Sequence, residues 1–470
     1  MIQRLSGNDL AELAADVGPD PRLVGAAVLL DGPPPDLDHV RRRIAASLPG
    51  TPLLRRVLHR VPRGCGRPLW VEQRPDLGVH VTAATCPAPG DHEALLDLTA
   101  RLAHEPLPFD RPLWRLVVVD GMAEGRWALV WLSHHVAADG PATLRAVMTA
   151  LGDSHVEEGI RGPAGEALHD DVVAPEPSAA PGAFVPTGRW ALTRQQAAAR
   201  LRMLGRLPQG VVLLGAAVLE LAASAGAQAP RTPINRPVTS GMRLLVAEVD
   251  LDTVRRAARS CDATVNDVVL CAFGRVVHAE LIRRGAPVAQ IVVGCPVTVS
   301  VLGEGSTPQN RVGVLRLPVP APEAVGTGDV RAHLSRIAAL SRPRKRHLSA
   351  ASTVVLSPAF RAVAALRLYR PMVDHQRSMN TLVTNLRGPS EPMVLCDRAV
   401  RWVVPVTPIV GNVPVAAVAL SYGGRLSVTM RVAPDLWLSA PQLLEDLRRE
   451  LDAVCSLAGP ATPEQEPAGR

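Results

Sequence analysis

Hydrophobic and polar positions along the chain alternate in a way that predicts a mixed α/β fold. Two mostly apolar runs, Arg115–Val119 and Arg126–Ser133, flank the turn residues Asp120-Gly121 and Glu124-Gly125 and predict a β-hairpin. Apolar residues then recur with helical spacing at Leu144, Val147, Met148 and Leu151. The string WLSHHVAADG, residues 131–140, is therefore predicted to form a strand-to-helix turn.

The same patterns divide the chain into two domains and a linker. Residues 1–151 are predicted to form an N-terminal α+β domain that ends with this turn, and residues 232–460 a second domain. Residues 152–231 between them are rich in Pro, Gly, Ala and acidic residues, and residues 461–470 are predicted to be a disordered tail. The predicted elements of the first domain and the linker are the strand Leu23–Leu30, helices at Leu37–Leu48 and Glu93–Ala103, and helical stretches at Trp190–Leu204 and Val211–Ala223.

The second domain shows the same mixture of strands and helices. Thr264 with Asp267 makes a capping-box-like signature, which predicts the start of a long helix that ends near Arg284. Two further helical segments precede the last strands. The remaining predicted elements are the strands Arg243–Val249, Ile291–Val299 and Asn380–Leu386, a hairpin turning at Tyr422-Gly423-Gly424, and a closing helix at Pro441–Leu457.

An HHxxxDG string, formed by His134, His135, Asp139 and Gly140, indicates acyl transfer. A neutral imidazole, which titrates at about pH 6.5, can take a proton from an alcohol that attacks an acyl carbonyl, a contribution of roughly 10²–10⁴ in rate. We interpret His135 as this general base and His134 as a residue that lines and orients the site. Asp139 is predicted to hold the turn through an arginine or backbone amides, and Gly140 to permit a positive φ. Two satisfied structural histidines are the alternative interpretation of the string alone.

Further motifs extend the pattern over nearly the whole chain. They are Leu5-Ser6 followed by Asp9, the segment Pro108–Trp114 (PFDRPLW), Asn266-Asp267, Asn310-Arg311-Val312, and Thr384-Asn385 followed by Gly388-Pro389. In this order they resemble the bacterial wax ester synthase/diacylglycerol acyltransferase family. HHxxxDG itself marks only the larger superfamily, which includes chloramphenicol acetyltransferase and peptide-synthetase condensation domains.

The chain departs from the family pattern before Asn310. Where the family commonly carries PVSVR, this chain has Pro296-Val297-Thr298-Val299-Ser300, so that Ser300 stands in place of an expected arginine, and Gln309 replaces a glycine. If that arginine normally steadies the motif aspartate, Asp139 needs another partner. These changes concern the preferred substrate more than the reaction.

The resemblance implies an α/β (α+β) fold of two chloramphenicol-acetyltransferase-like domains with a substrate tunnel at their interface. It implies an O-acyltransferase that moves a long-chain acyl group directly from acyl-CoA, a co-substrate and not a bound cofactor, to a fatty alcohol or diacylglycerol. Asn266-Asp267 is a helix cap by its sequence and a shaper of the tunnel wall by resemblance. Pro112-Leu113-Trp114 is predicted to be a packing anchor, and Thr384-Asn385 to donate hydrogen bonds to the thioester oxyanion or the coenzyme.

The amino-acid composition limits the classes of partner that this chain is expected to bind. A chain of 470 residues with 47% hydrophobic residues is expected to hold two cores. The formal charge is +7 and Lys345 is the only lysine, but there is no basic-aromatic groove or nucleic-acid motif, so no nucleic-acid partner is expected. The basic run Arg342–Arg346 is interpreted as a solvated loop, with a contact to anionic lipid or coenzyme A phosphates as the alternative.

The cysteines and the N-terminal segment indicate a location. Seven cysteines without a CxxC pair, and a start that lacks a secretory signal profile, predict free thiols and a cytoplasmic protein without a metal site. Cys271 or Cys295 as a nucleophile is the weaker alternative, because both lie in apolar runs. Val211–Ala227 is too short for a typical membrane span and is predicted to be a buried or interfacial helix. An interfacial helix would give the enzyme a peripheral contact with the inner membrane or with lipid bodies.

Three functions follow from these observations. The first is wax ester or triacylglycerol synthesis as described. The second is a secondary-metabolite acyltransferase that takes its acyl group from a carrier protein or coenzyme A and esterifies a polyketide, peptide or sugar. The third, a catalytically silent lipid-binding protein, is disfavoured by the intact HHxxxDG string.

Overall fold

The structure, a computed structural model, describes most of the chain in two six-stranded sheets, one three-stranded sheet and the helices packed on them. The described residues are 3–16, 18, 20–62, 65–138, 140–152, 192–194, 228–239, 241–298, 312–323, 329–346, 368–409 and 411–459.

Within these ranges the strands and helices alternate, as the hydrophobic pattern predicts. The strands are β1 Gln3–Arg4, β2 Leu23–Leu30, β3 Arg56–His59, β4 Leu69–Glu72, β5 Val81–Thr85, β6 Trp114–Asp120, β7 Trp127–His134, β8 Arg243–Asp250, β9 Gln290–Thr298, β10 Val312–Pro320, β11 Thr381–Arg387, β12 Val394–Leu395, β13 Arg398–Val406, β14 Val415–Tyr422 and β15 Arg425–Val432. The α-helices are α1 Gly7–Ala15, α2 Leu37–Ser47, α3 Leu77–His80, α4 His92–His104, α5 Gly140–Leu151, α6 Leu251–Ser260, α7 Val265–Arg283, α8 Val330–Arg346, α9 Tyr369–Asp374 and α10 Ala440–Cys455. Short 3₁₀ turns lie at Pro52–Arg55, Ala123–Gly125, Pro434–Ser439 and Ser456–Ala458.

The first large sheet carries the predicted hairpin at its centre. Its strand order is β12-β13-β2-β7-β6-β5, and β7 pairs antiparallel with both β2 and β6. Helices α2 and α5 pack on one face of this sheet and α4 packs on the other, so that β7 is buried along its whole length. The last residue of β7, His134, lies opposite Leu23 at the end of β2.

The second large sheet has the order β10-β9-β11-β14-β15-β8. Helices α6, α7, α8 and α10 cover one face, where alternate apolar residues of the strands form the largest described core. Residues of the other face turn toward the first sheet: Leu244 and Val246 of β8 pack with Leu95 of α4. The hydrogen-bonded three-stranded sheet, β1-β4-β3, stands apart from both.

One strand crosses between the two halves of the chain. Strand β13 lies within residues 232–460, the predicted second domain, but pairs antiparallel with β2 from Val400 opposite Leu30 to Val406 opposite Gly25. Residues 394–406 therefore belong, by their hydrogen bonds, to the first sheet. The apolar pattern of a strand does not predict which sheet the strand joins. The division predicted from the sequence at residue 232 therefore assigned β13 to the second domain.

The linker and tail fall largely outside the described residues. Of the helical stretches predicted at Trp190–Leu204 and Val211–Ala223, only residues 192–194 are described, and they are helical. Residues 461–470 also lie outside. In the part of the chain that the structure describes, no helix is long and apolar enough to cross a membrane.

Candidate active site

The histidine pair stands at the strand-to-helix turn that the sequence predicts. His134 ends β7 and Gly140 begins α5, whereas Asp139 lies outside the described residues. Side chains alternate along β7, so Ser133 shares a face with Trp131 and not with His134. Ser133 is fully buried, and its Oγ accepts a hydrogen bond of 2.9 Å from Trp131 Nε1. The hydroxyl of Ser133 therefore faces away from the imidazole of His134.

Both ring nitrogens of His134 have polar partners. Nδ1 accepts a hydrogen bond of 3.1 Å from the Val136 backbone N–H, which assigns the proton to Nε2, and Nε2 lies 3.3 Å from a carboxylate oxygen of Asp16. The ring of Phe109 packs edge-on against the imidazole of His134, with the ring centroids 5.2 Å apart. The side chain of His134 is only 2% exposed. Burial raises the pKa of Asp16, but the hydrogen bond and charge of His134 lower it by a larger amount, so the net shift is downward. His134 is thus held by its surroundings.

His135 is held by its backbone and not by its ring. Its backbone N–H donates a hydrogen bond of 2.7 Å to the carbonyl of Arg22. Its Nδ1 is buried without a hydrogen-bond partner among the described residues, and the residue as a whole is partly exposed. The structure therefore separates the two histidines, because only the imidazole of His135 is available for another molecule.

Helix α1 supplies carboxylates to this turn that sequence reasoning missed. Ser6 and Asp9 of the first motif form a capping box: the Asp9 backbone N–H donates to Ser6 Oγ at 3.0 Å and the Ser6 N–H donates to Asp9 Oδ2 at 2.8 Å. Glu12 and Asp16 follow four residues apart, the spacing that places two side chains on one side of a helix. That spacing was the available signal, but the carboxylates are more than a hundred positions from the histidines in sequence.

A second missed feature joins the two large sheets. Arg431 of β15 is 1% exposed and donates hydrogen bonds to the carboxylate of Asp20, which is 7% exposed, and, at 3.0 Å, to the carbonyl of Thr407. Nδ1 of His104 lies 3.6 Å from the other carboxylate oxygen of Asp20. This buried ion pair fixes the segment before β2, which leads directly to Arg22, against the second sheet.

The motif Pro112-Leu113-Trp114 positions the histidine strand. All three residues are buried, and the carbonyl of Leu113 accepts a hydrogen bond of 2.9 Å from the His134 backbone N–H. The indole of Trp114 stacks on Trp131 at 5.1 Å and on His80 at 4.5 Å, and its Nε1 donates to the carbonyl of Leu54 at 3.0 Å. These contacts are those of a packing anchor.

Comparisons with known proteins identify the family of this chain. The profile of the wax ester synthase/diacylglycerol acyltransferase catalytic domain matches residues 5–269, and that of the C-terminal domain of the same enzymes matches residues 309–454. The chain belongs to the wax ester synthase/diacylglycerol acyltransferase family. It is an acyltransferase, as the resemblance implied.

Relatives cover nearly the whole chain. A probable diacylglycerol O-acyltransferase of Mycobacterium tuberculosis, tgs1, is 27% identical over 437 residues, which cover 92% of this chain and 90% of the relative. The wax ester synthase/diacylglycerol acyltransferase from Marinobacter aquaeolei VT8 superposes with a TM-score of 0.65 at 20% identity, covering 97% of this chain and all of the other. The starter condensation domain of rhizomide synthetase, solved with C8-CoA, has a TM-score of 0.61 at 15% identity over 98% of this chain and 96% of its own. The two-domain acyltransferase fold is thereby confirmed.

Of the family motifs in the second half, Asn266-Asp267 begins helix α7. Asp267 is 2% exposed, and its Oδ2 accepts hydrogen bonds from the backbone N–H and the hydroxyl of Thr264 at 2.9 and 2.7 Å. Its Oδ1 accepts from the Ser341 hydroxyl of α8 at 2.7 Å. These bonds account for Asp267 as a helix cap, and Asn266 beside it is partly exposed.

Thr384 and Asn385 point to opposite faces of β11. Val383 belongs to the core beneath the helices, so Asn385 shares that side and Thr384 lies on the face turned toward the first sheet. Leu386, on the same face as Thr384, packs against the core of the first half. Both Thr384 and Asn385 are partly exposed. The predicted Asn310-Arg311 and Ser300 lie outside the described residues.

Cys271 and Cys295, the two alternative nucleophiles, are both buried. Burial raises the pKa of the Cys271 thiol to about 12, so it carries no thiolate near neutral pH. Its Sγ lies 3.6 Å from His333 Nδ1, and the other ring nitrogen of His333 lies 3.0 Å from the Pro320 carbonyl. Cys295 is 5% exposed within β9. Among the described residues, no group of three His, Cys, Asp or Glu side chains is arranged to hold a metal ion.

Proposed function

We propose that this chain transfers a long-chain acyl group from acyl-CoA to the hydroxyl of a fatty alcohol or diacylglycerol, with His135 as general base. The observation that carries this proposal is the difference between the two histidines. His134 is 2% exposed and its Nδ1 accepts a hydrogen bond, whereas His135 is partly exposed and its Nδ1 has no hydrogen-bond partner among the described residues. A partly exposed imidazole at a strand-to-helix turn is suited to bind a substrate hydroxyl.

The proposed reaction is direct. His135 accepts the proton of the acceptor hydroxyl as its oxygen attacks the thioester carbonyl, the C–S bond of the tetrahedral intermediate breaks, and the coenzyme A sulfur leaves with the proton from His135. Thr384 is the proposed donor to the oxyanion, with Asn385 beside it, because its side of β11 is turned toward the first sheet. Asp139 and Gly140 are proposed to hold the turn, and Asn266-Asp267 to shape the tunnel wall.

The substrates are inferred from relatives. The Mycobacterium tuberculosis relative is named as a probable diacylglycerol O-acyltransferase, and the rhizomide synthetase domain was solved with a coenzyme A thioester. These two relatives therefore support the first of the three functions considered, with acyl-CoA as co-substrate and a hydrophobic alcohol as acceptor. A peripheral contact with the inner membrane or lipid bodies is part of this proposal, since both substrates are hydrophobic.

The test is an assay of the purified chain with labelled palmitoyl-CoA or carrier-bound acyl groups and a panel of acceptors. We expect ester formation from palmitoyl-CoA with long-chain alcohols or diacylglycerol, and none when His135 is replaced by Ala. Transfer only from a carrier protein to a polyketide, peptide or sugar would favour the secondary-metabolite function. If no donor supports transfer, the third function, a catalytically silent lipid-binding protein, would be favoured.

Intact-mass spectrometry tests the direct route separately. Enzyme mixed with acyl-CoA in the absence of acceptor should keep its unmodified mass, because Ser133 is turned away and the Cys271 thiol is protonated. A stoichiometric acyl adduct that disappears on addition of alcohol would contradict direct transfer.

A further inference from the structure

A pair of oppositely charged side chains lies beside the histidine turn. Arg22, directly before β2, is 6% exposed, and its Nη2 donates a hydrogen bond to Glu12 of α1. The carbonyl of the same Arg22 accepts the backbone N–H of His135 at 2.7 Å. The guanidinium is therefore attached to the same short stretch of backbone that fixes the proposed base.

The carboxylate of Glu12 compensates the positive charge of the Arg22 guanidinium. Its Nε and Nη1 are both buried without a hydrogen-bond partner in the described part of the chain. A buried cation disfavours a second positive charge nearby, and His135 acquires such a charge when it accepts the proton of a substrate hydroxyl. Without an opposing carboxylate, Arg22 would make His135 a weaker base.

Glu12 is joined to the histidine turn through Arg22, whose side chain donates to it and whose carbonyl accepts the His135 N–H. Burial raises the pKa of Glu12, but the charges of Arg22 and His135, the hydrogen bond from Arg22 and the charge of His134 lower it more, to about 2. Burial lowers the pKa of Arg22, but Glu12 more than restores it. Both members of the pair are therefore charged at neutral pH.

Other described ionisable groups also lie around the turn, and one of them, Asp16, interacts with Arg22 as well. Asp16 contacts His134, and Arg431 is paired with Asp20, whose second oxygen faces His104. Burial raises the pKa of Tyr369, which lies near Arg22 and Glu12 on α9, so its phenol is neutral. Among these groups, Glu12 is the carboxylate that accepts a hydrogen bond from the Arg22 guanidinium, so its removal changes the charge balance beside His135 directly.

We propose that Glu12 and Arg22 are positioning residues for His135: Arg22 holds its backbone, and the carboxylate of Glu12 offsets the guanidinium so that the imidazole can hold a proton during transfer. This inference rests on the proposed role of His135. It makes Glu12 a residue on which the pH dependence of transfer depends, although it does not touch the reacting atoms.

Two variants test it, Glu12→Gln and the double variant Glu12→Gln/Arg22→Met. The readouts are the acidic limb of kcat/KM for transfer and the pH midpoint of the ¹³C-labelled His135 ring signal in NMR, assigned by its loss in His135→Gln. In Glu12→Gln the unopposed guanidinium should move both to lower pH by about one unit. In the double variant both should return to within about half a unit of the wild type.

Glu450→Gln is the matched control. Glu450 is 2% exposed and also paired with a buried arginine, Arg275, but on α10 and α7, behind the second sheet. It should lower stability without moving the limb or the midpoint. A role of Glu12 in stability alone predicts the same behaviour for Glu12→Gln, so an unmoved midpoint in a folded Glu12→Gln protein overturns the proposal.

The two readouts separate this inference from the proposed function. If the wild type transfers no acyl group, the proposed function fails, and the NMR midpoint alone then decides whether Glu12 offsets Arg22. If Glu12→Gln does not fold, the double variant remains decisive, because a midpoint more than about half a unit from the wild type contradicts mutual compensation.

Discussion

Two clusters of buried and partly buried charges in this molecule differ in how completely they are hydrogen bonded. One, the helix cluster, joins α7 and α10 and consists of Arg275, Glu280, Arg283, Asp446 and Glu450. The other, the histidine-side cluster, surrounds the proposed base and consists of Glu12, Asp16, Asp20, Arg22 and Arg431.

In the helix cluster the carboxylates are shared among several donors. Glu280 accepts from Arg283 at 3.0 Å, Arg284 at 2.6 Å and the Ser439 hydroxyl at 2.9 Å. Asp446 accepts from Arg283 at 2.6 Å and lies 2.8 Å from Arg449. Only Nη1 of Arg275 is without a partner there among the described residues.

The histidine-side cluster is less complete. Nε of Arg431, Nε and Nη1 of Arg22 and one carboxylate oxygen of Asp20 are buried without a hydrogen bond to any described residue. Buried polar groups usually have partners, and exceptions concentrate where a site must interact with another molecule. The comparison teaches that two charge clusters of one fold can differ in how completely they are hydrogen bonded, and that the less complete one is the cluster beside the proposed base.

The largest expected effect that follows from this contrast is on activity. His135→Ala should lower kcat/KM by roughly 10²–10⁴ and leave the melting temperature nearly unchanged, because Nδ1 of the lost ring has no hydrogen-bond partner among the residues that the structure describes. Steady-state assays and thermal denaturation measure the two quantities. His134→Ala is the control: its ring contacts Asp16 and Val136, so stability should fall and activity should fall less. More than half of wild-type turnover in His135→Ala would show that the base is elsewhere.

In the helix cluster the effect should be on stability. Arg275→Met leaves Glu450 buried without its main partner, and breaking such a pair costs about 3–5 kcal/mol in free energy of unfolding. Urea denaturation should show this loss, while kcat/KM of the folded enzyme stays within about twofold because the pair stands behind the second sheet. A tenfold fall in kcat/KM at full folding would remove the distinction between the clusters.

The pH dependence of stability sharpens the contrast at Glu12. The pKa of Glu12 is about 2 in the folded chain and about 4.3 when unfolded, so its contribution is fully present above the unfolded value and is lost as pH falls toward 2. The free energy of unfolding of Glu12→Gln should therefore lie below that of the wild type at pH 7, by a difference on the order of 3 kcal/mol or less. Urea titrations from pH 7 down to the acid limit of folding should show the two curves converging. A difference in free energy of unfolding that grows as the pH falls would contradict this prediction.

The smallest expected effect is at the buried thiol of the second domain. Cys271→Ala removes a side chain that packs against His333 but carries no thiolate, so stability should fall by about 1 kcal/mol and transfer should stay within about twofold of the wild type. Thermal denaturation and the ester assay measure both. Loss of transfer in a stable Cys271→Ala protein would reopen the search for a covalent intermediate.

Much of the fold follows from the sequence pattern, since strand Leu23–Leu30 and the hairpin around residues 120–125 are where alternation and turn residues predict them. The long helix after Thr264 begins with the predicted capping box. The pattern could not reveal Glu12, Arg22 or Asp20 beside the histidines, because hydrophobic periodicity describes each element's own faces and not which distant element packs on it. The short strand β1 and helix α6 were also missed. Strand β1 has only two residues, whereas α6 carries a helical pattern that was overlooked: Asp250 caps it, and Leu251, Val254, Ala257 and Ala258 form its buried face.

The crossing of β13 has a consequence for how the chain is made. Strand β2 obtains its second neighbour only after residue 406 has left the ribosome, so during synthesis the first 151 residues present an open, mostly apolar strand edge. Such a fragment expressed alone should aggregate. Cutting the chain in the segment between the two halves after folding should have the opposite outcome: the fragments should remain associated, because a strand of one completes the sheet of the other.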